Sequence, residues 1–150
     1  MELPRGVTGF WQHGGEALSS RDIRPFKALA HSLARAMGAQ LAHWATWPDP
    51  GRNYAAATFR AGAAELCLLG HQIHPLAAWA AGDGSAPRRF LDLPAWDDEL
   101  RAAGLAALPA AFLEAPVEPI WLAQLDSAEL RQIRHWRPQR MGDLVFNEWD

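Results

Sequence analysis

Asn53-Tyr54-Ala55-Ala56-Ala57-Thr58-Phe59-Arg60-Ala61-Gly62-Ala63-Ala64-Glu65-Leu66-Cys67-Leu68-Leu69-Gly70-His71 is the stretch on which the fold turns. Residues 53–60 set Tyr54, Ala56 and Thr58 against Ala55, Ala57 and Phe59, the two-residue period of a strand. Alanine itself prefers helix and pulls against that assignment. The Ala61-Gly62-Ala63 connection is short, so the chain turns back into residues 65–71 as a hairpin. Leu66 to Leu69 has no polar break, which suits a central strand.

Upstream of the hairpin, residues 22–37 read as a long helix. Ile23, Phe26, Leu29, Ala30, Leu33, Ala34 and Met37 fall on one face at three-and-four spacing. Ser20 or Asp22 can cap it, Pro25 fits its first turn, and Gly38 supplies a left-handed stop. Residues 40–47 form a further strand, closed by the turn chemistry of Pro48-Asp49-Pro50-Gly51. Before the helix, Gly6 to Gln12 is an edge strand or an arm laid over the core, and Gly14-Gly15 marks a loop.

Downstream, residues 73–81 fit either a strand or a short helix starting at Pro75, and residues 82–87 are a loop. Residues 88–93 are extended, Pro94 opens a helical turn through Leu100, and Gly104 closes it. Pro109, Pro116 and Pro119 break residues 105–118, leaving 111–113 as a last strand or a single turn. Asp126 and Glu129 form a capping box, with Leu125 and Leu130 as a hydrophobic staple, for a helix reaching Trp136 before Pro138. Residues 141–149 dock as a final short helix. Helix, then strands, then helices predicts one α+β domain over residues 1–150. The expected sheet is antiparallel, of about four or five strands, with the long N-terminal helix and the C-terminal helices packed on it.

Length and composition fit that domain. A chain of 150 residues with 49% hydrophobic and 21% charged content buries one real core without disulfides or metals. The single cysteine, Cys67, lies in an apolar run and reads as a small hydrophobe. It points to a reducing cytoplasmic setting. There is no signal-peptide pattern and no apolar run of membrane-spanning length, so no membrane association is expected. A net charge of −3 and a pI near 6.0 give no pull toward nucleic acid and mildly favour a basic partner. Eight tryptophans against one tyrosine is the compositional outlier. Most serve as core and rim packing, but any that stay exposed together mark a binding surface.

Candidate chemistry is sparse. His71 and His74 sit at His-x-x-His spacing, with Asp83 the nearest downstream acid; these three define a candidate pocket for a small enzyme or ligand-binding domain. Two imidazoles alone do not make a zinc site, which takes three or four protein ligands. Cys67 has no adjacent base, and the serines have loop, surface or capping roles. No catalytic residue, metal or cofactor is assigned. Asp97-Asp98-Glu99 complements a helix N-terminus. Arg131, Arg134, Arg137 and Arg140 read as a solvated, salt-bridged face beside Glu129, Asp143 and Glu148.

Two patterns carry a resemblance. The opening Glu2-Leu3-Pro4-x-Gly6-x-Thr8-Gly9-Phe10-Trp11 and the closing Trp136-x-Pro138-x-x-x-Gly142-Asp143-x-x-Phe146-Asn147-x-Trp149-Asp150 resemble a group of small uncharacterised bacterial proteins. Some of these look like the immunity proteins that accompany bacterial toxins. The resemblance implies a non-enzymatic protein that occupies a protein partner such as a toxin. It brings no catalytic residues. On the residues themselves, Phe146 and Trp149 anchor the tail, Asn147 satisfies nearby backbone, and Asp150 offers carboxylates to an arginine. Trp11, Asn147, Trp149 and Asp150 are therefore the candidate binding residues.

Overall fold

The computed structural model describes residues 2–11, 18–45 and 51–149. The Gly14-Gly15 loop, the Pro48-Asp49-Pro50 turn, the last residues of the 40–47 segment and Asp150 lie outside the described residues.

The first helix, α1 (Arg24–Met37), begins two residues later than its periodicity suggests. Ile23 occupies the N-cap position without a side-chain bond, and Asp22 accepts the Arg24 N–H at 3.0 Å from outside the helix. Gly38 ends it in the left-handed conformation, φ 65°, as its position predicts. The sheet follows: β1 (Gln40–Ala45), β2 (Tyr54–Ala61), β3 (Ala64–His71) and β4 (Leu76–Ala81) form an antiparallel meander. The β2–β3 register pairs Tyr54 with His71 and Thr58 with Cys67. The ambiguous segment is thus a strand from Leu76 onward, with no helix at Pro75.

Two short strands complete the sheet at the far edge of β4. β5 (Phe90–Leu91) pairs antiparallel with Trp79 and Ala80, whereas β6 (Ala106–Ala107) pairs parallel with Leu76 and Ala77. The result is a six-stranded, mostly antiparallel sheet, with one parallel pair that the sequence does not announce. α2 (Asp97–Ala102) lies between β5 and β6, and α3 (Ala110–Glu114) follows them as a short helix. α4 (Ser127–Trp136) and α5 (Met141–Val145) end the chain's described path. No helix among the described residues is long and apolar enough to cross a membrane.

Both faces of the sheet are covered, which explains the alanines. Ala55, Ala57, Phe59, Leu68, Ala77 and Trp79 point to α1 and α2, packing on Phe26, Leu29, Leu33 and Leu100. Tyr54, Ala56, Cys67, Leu69, Ala78 and Ala80 point the other way, onto Leu113, Leu125, Met141, Leu144 and Phe146. Strands buried on both sides read as continuous apolar runs, and small side chains let helices approach closely. Gly70 takes this furthest: a Cβ there would sit 2.7 Å from the Phe26 ring.

Candidate functional site

Residues 2–11 form an arm of turns, not an edge strand, and the arm runs into the core. Leu3 and Val7 are fully buried, and the Leu3 N–H donates to Trp121 O at 2.9 Å. The arm and residues 145–149 meet over the ends of β2 and β3, where three buried polar side chains tie them together. Asn53 donates from Nδ2 to Val7 O (3.0 Å) and Val145 O (2.9 Å), and its Oδ1 accepts the Asn147 N–H (2.9 Å). Asn147 donates from Nδ2 to Thr8 O (2.9 Å) and Leu144 O (3.0 Å). His71 lies 2.7 Å from Val7 O through Nε2, while Nδ1 accepts the Ile73 and His74 N–H groups, each at 3.0 Å. A ring nitrogen accepting two backbone donors carries no proton, so the neutral tautomer with hydrogen on Nε2 is assigned. Burial drives the His71 pKa down to about 4.

A buried carboxylate secures the arm from α4. Glu129 is fully buried, and its Oε1 accepts the Gly6 N–H (2.9 Å), the Thr8 N–H (3.2 Å) and the Thr8 hydroxyl (2.8 Å). Its Oε2 accepts the Asp126 N–H, and Asp126 Oδ1 accepts the Glu129 N–H, closing the predicted capping box. Asp126 also pairs with Arg5 at 3.2 Å. One motif therefore caps a helix and holds the arm.

On the outer side of this seam the aromatic residues line up. The Phe10 and Trp149 rings stack at 6.5 Å, and Trp149 stacks on Trp136 at 6.3 Å with planes only 4° apart. His135 meets Trp136 edge-on at 5.2 Å, and the Trp136 indole N–H donates to Gln132 Oε1 at 3.1 Å. Phe10, Trp11 and Trp149 are half-buried, and Trp136 is 40% exposed. Aromatic pairs of this kind contribute about 0.5–1.5 kcal/mol beyond their burial, which holds the three rings in a row. Arg131, Arg134 and His135 stand exposed on α4 around it.

The neighbourhood of Glu148, which is exposed, is polar. Glu148 Oε1 accepts the Tyr54 hydroxyl at 2.5 Å and pairs with Arg52 at 3.2 Å. Arg88, buried, donates to Gly84 O, Phe146 O and the Tyr54 hydroxyl oxygen, with its guanidinium 4.9 Å from the Tyr54 ring centre. Burial pushes the Tyr54 pKa up to about 12, so the phenol remains a donor to Glu148.

The sequence-predicted residues therefore separate. Trp149 is stacked between Phe10 and Trp136, and Trp11 follows Phe10 on the same arm. Asn147 is 4% exposed, with its side chain spent on the carbonyls of Thr8 and Leu144. Asp150 lies outside the described residues. His71 and His74 are close, with ring centres 5.6 Å apart, but His71 is fully buried and His74 Nε2 lies 2.6 Å from Arg5 O. Asp83 is at the other end of the β3–β4 hairpin, roughly 15–20 Å along the strands, where it accepts the Ser85 N–H and hydroxyl. The expected His71, His74 and Asp83 pocket is not assembled. Among the described residues no three His, Cys, Asp or Glu side chains are grouped around a potential ion position.

Comparison with known proteins adds no assignment: no family model, no curated protein and no solved structure matches the chain. Sequence reasoning missed Asn53, Phe10 and the second role of Glu129. The capping box was the available signal for Glu129, but the box predicts only a helix start, not what lies over it.

Proposed function

We propose that the protein is a non-enzymatic, cytosolic binding domain that acts in the manner of an immunity protein, occupying a protein partner such as a bacterial toxin. The contact surface in this reading is the Phe10–Trp149–Trp136 row. One observation carries the proposal: two tryptophans and a phenylalanine stack in register at the surface, ending on a tryptophan that is 40% exposed. Stacked tryptophans are rigid, and rigid aromatic anchors lose little conformational entropy on association. Arg131, Arg134 and His135 stand exposed around the row, so the local charge there favours an acidic contact on the partner despite the net charge of −3.

The arm and tail patterns behind the resemblance build this surface. Gly6, Thr8, Phe146 and Asn147 fix the backbone from which Phe10 and Trp149 project. The test is affinity for the purified partner, by calorimetry, against Trp136→Ala with an unchanged unfolding midpoint. Loss of about 2 kcal/mol or more, roughly thirtyfold in Kd, is the expected result for an anchor of this type. An unchanged Kd would remove the row from the interface.

A further inference from the structure

Glu129, fully buried, and Ile133, packed on the core, mark the inner side of α4. With a turn of about 100° per residue, the outer side then runs around the helix in the order Arg134, Arg131, His135, Gln132, Trp136. Arg131, Arg134, His135 and Trp136 are exposed. Arg137, which ends the helix in the left-handed conformation at φ 50°, is exposed beside them. The aromatic row therefore continues past Trp136. Its indole meets His135 edge-on at 5.2 Å, and beyond His135 stand two arginines.

These cations are not neutralised where they stand. Arg131, Arg134, Arg137 and Arg140 follow one another at three-residue intervals, and the sequence sets acids beside them. Among the described residues, only Arg140 of the four forms ion pairs, with Glu114 and Asp143. The other acids of this region are committed elsewhere: Asp126 to Arg5, Glu148 to Arg52, and Glu129 to the Gly6 and Thr8 N–H groups. A cation in the last turn of a helix complements the helix dipole. That explains Arg134 and Arg137, but not Arg131 in the middle of α4.

A partner lying across α4 thus meets aromatic rings on one side and unpaired guanidinium groups on the other. The two are separated by the width of the helix, about 10–12 Å, which an extended chain covers in about three or four residues. Guanidinium groups bond carboxylates in bidentate pairs. We propose that the partner segment seated on the row is extended and acidic, with an aromatic or large aliphatic side chain against Trp136 and carboxylates about three or four residues away on Arg131 and Arg134. This rests on the row being a contact surface and adds the chemistry of what meets it. Single-stranded nucleic acid also joins stacking bases to anionic groups. The net charge of −3 opposes a long polyanion, whereas a pair of carboxylates needs only the local cations.

The test is panning of a random dodecapeptide library displayed on phage, with Trp136→Ala protein as the counter-screen and every variant first shown to unfold at the wild-type midpoint. Peptides retained by the wild type and lost on Trp136→Ala are expected to be rich in Asp and Glu, set a few residues from an aromatic or aliphatic anchor. A fluorescein-labelled synthetic copy of the most enriched peptide is expected to bind about tenfold more weakly to Arg131→Gln with Arg134→Gln. Its affinity for Lys27→Gln with Arg35→Gln, which removes the same charge from the exposed side of α1, is expected to be unchanged. Trp136-dependent peptides of neutral or basic composition would overturn the acidic assignment and leave the row standing as a contact surface. No Trp136-dependent peptide at all would count against both. Equal weakening by the α1 pair, or displacement of the peptide by oligothymidylate at lower concentration than by the unlabelled peptide, would also overturn it.

Discussion

Asn53 and Asn147 bond to each other twice across 94 residues of chain: the Asn147 N–H donates to Asn53 Oδ1 at 2.9 Å, and the Asn53 N–H donates to Asn147 O at 3.2 Å. Between them they also satisfy the carbonyls of Val7, Thr8, Leu144 and Val145. Asn53→Ala leaves a buried N–H and a buried carbonyl without a partner. The expected cost is about 2–4 kcal/mol, read as a lowered urea midpoint with unchanged slope. In a double-mutant cycle with Asn147→Ala the two losses add to less than their sum, because they share bonds.

Glu129→Ala removes one acceptor oxygen from three arm donors and another from the capping box. Destabilisation of about 3 kcal/mol is expected. Faster amide exchange at Gly6 and Thr8 than in the α1 helix would place the damage in the arm, while uniform exchange across the chain would argue against a local tether.

Lowering the pH charges His71 at the expense of the fold. Its folded pKa of about 4 lies below the ordinary value near 6.5, so between these values the unfolded chain binds the extra proton. Stability is therefore full above about pH 6.5 and is lost as pH falls toward 4, by about 3 kcal/mol. Unfolding free energies across that window are expected to slope in the wild type and to flatten in His71→Gln, since glutamine does not titrate.

Cys67 is fully buried, and burial pushes its thiol pKa up to about 11. Native protein at pH 8 is expected to leave a disulfide reagent such as Ellman's unreacted, with one thiol per chain released in denaturant. Rapid reaction of the native protein would contradict the burial of Cys67.

The elements legible in sequence were those fixed by local chemistry. The face from Phe26 to Met37, the Gly38 stop and the Asp126–Glu129 box all act within a few residues, and all are found. The parallel pairing of β6 was not legible, because Ala106 and Ala107 carry no strand pattern and owe their place to the open edge of β4. Candidate binding residues were legible only as types. Trp149 and Asn147 occupy one motif with opposite fates, one stacked at the surface and one buried, and only the 94-residue contact with Asn53 decides which. His71 and His74 had spacing in their favour, but spacing cannot reveal that the arm's carbonyls already occupy them.

The proposed role of the Phe10–Trp149–Trp136 row is as a surface for a protein partner. It is tested most directly by site-specific photocrosslinking, with a benzoylphenylalanine at position 136 and, as a control, at Lys27 on α1, in cells of the native host. One crosslinked protein is expected at position 136 and none at 27. Added wild-type protein should compete that product away, and folded Trp136→Ala should not. Equal labelling at both positions, no product at 136, or equal competition by the two proteins would contradict it.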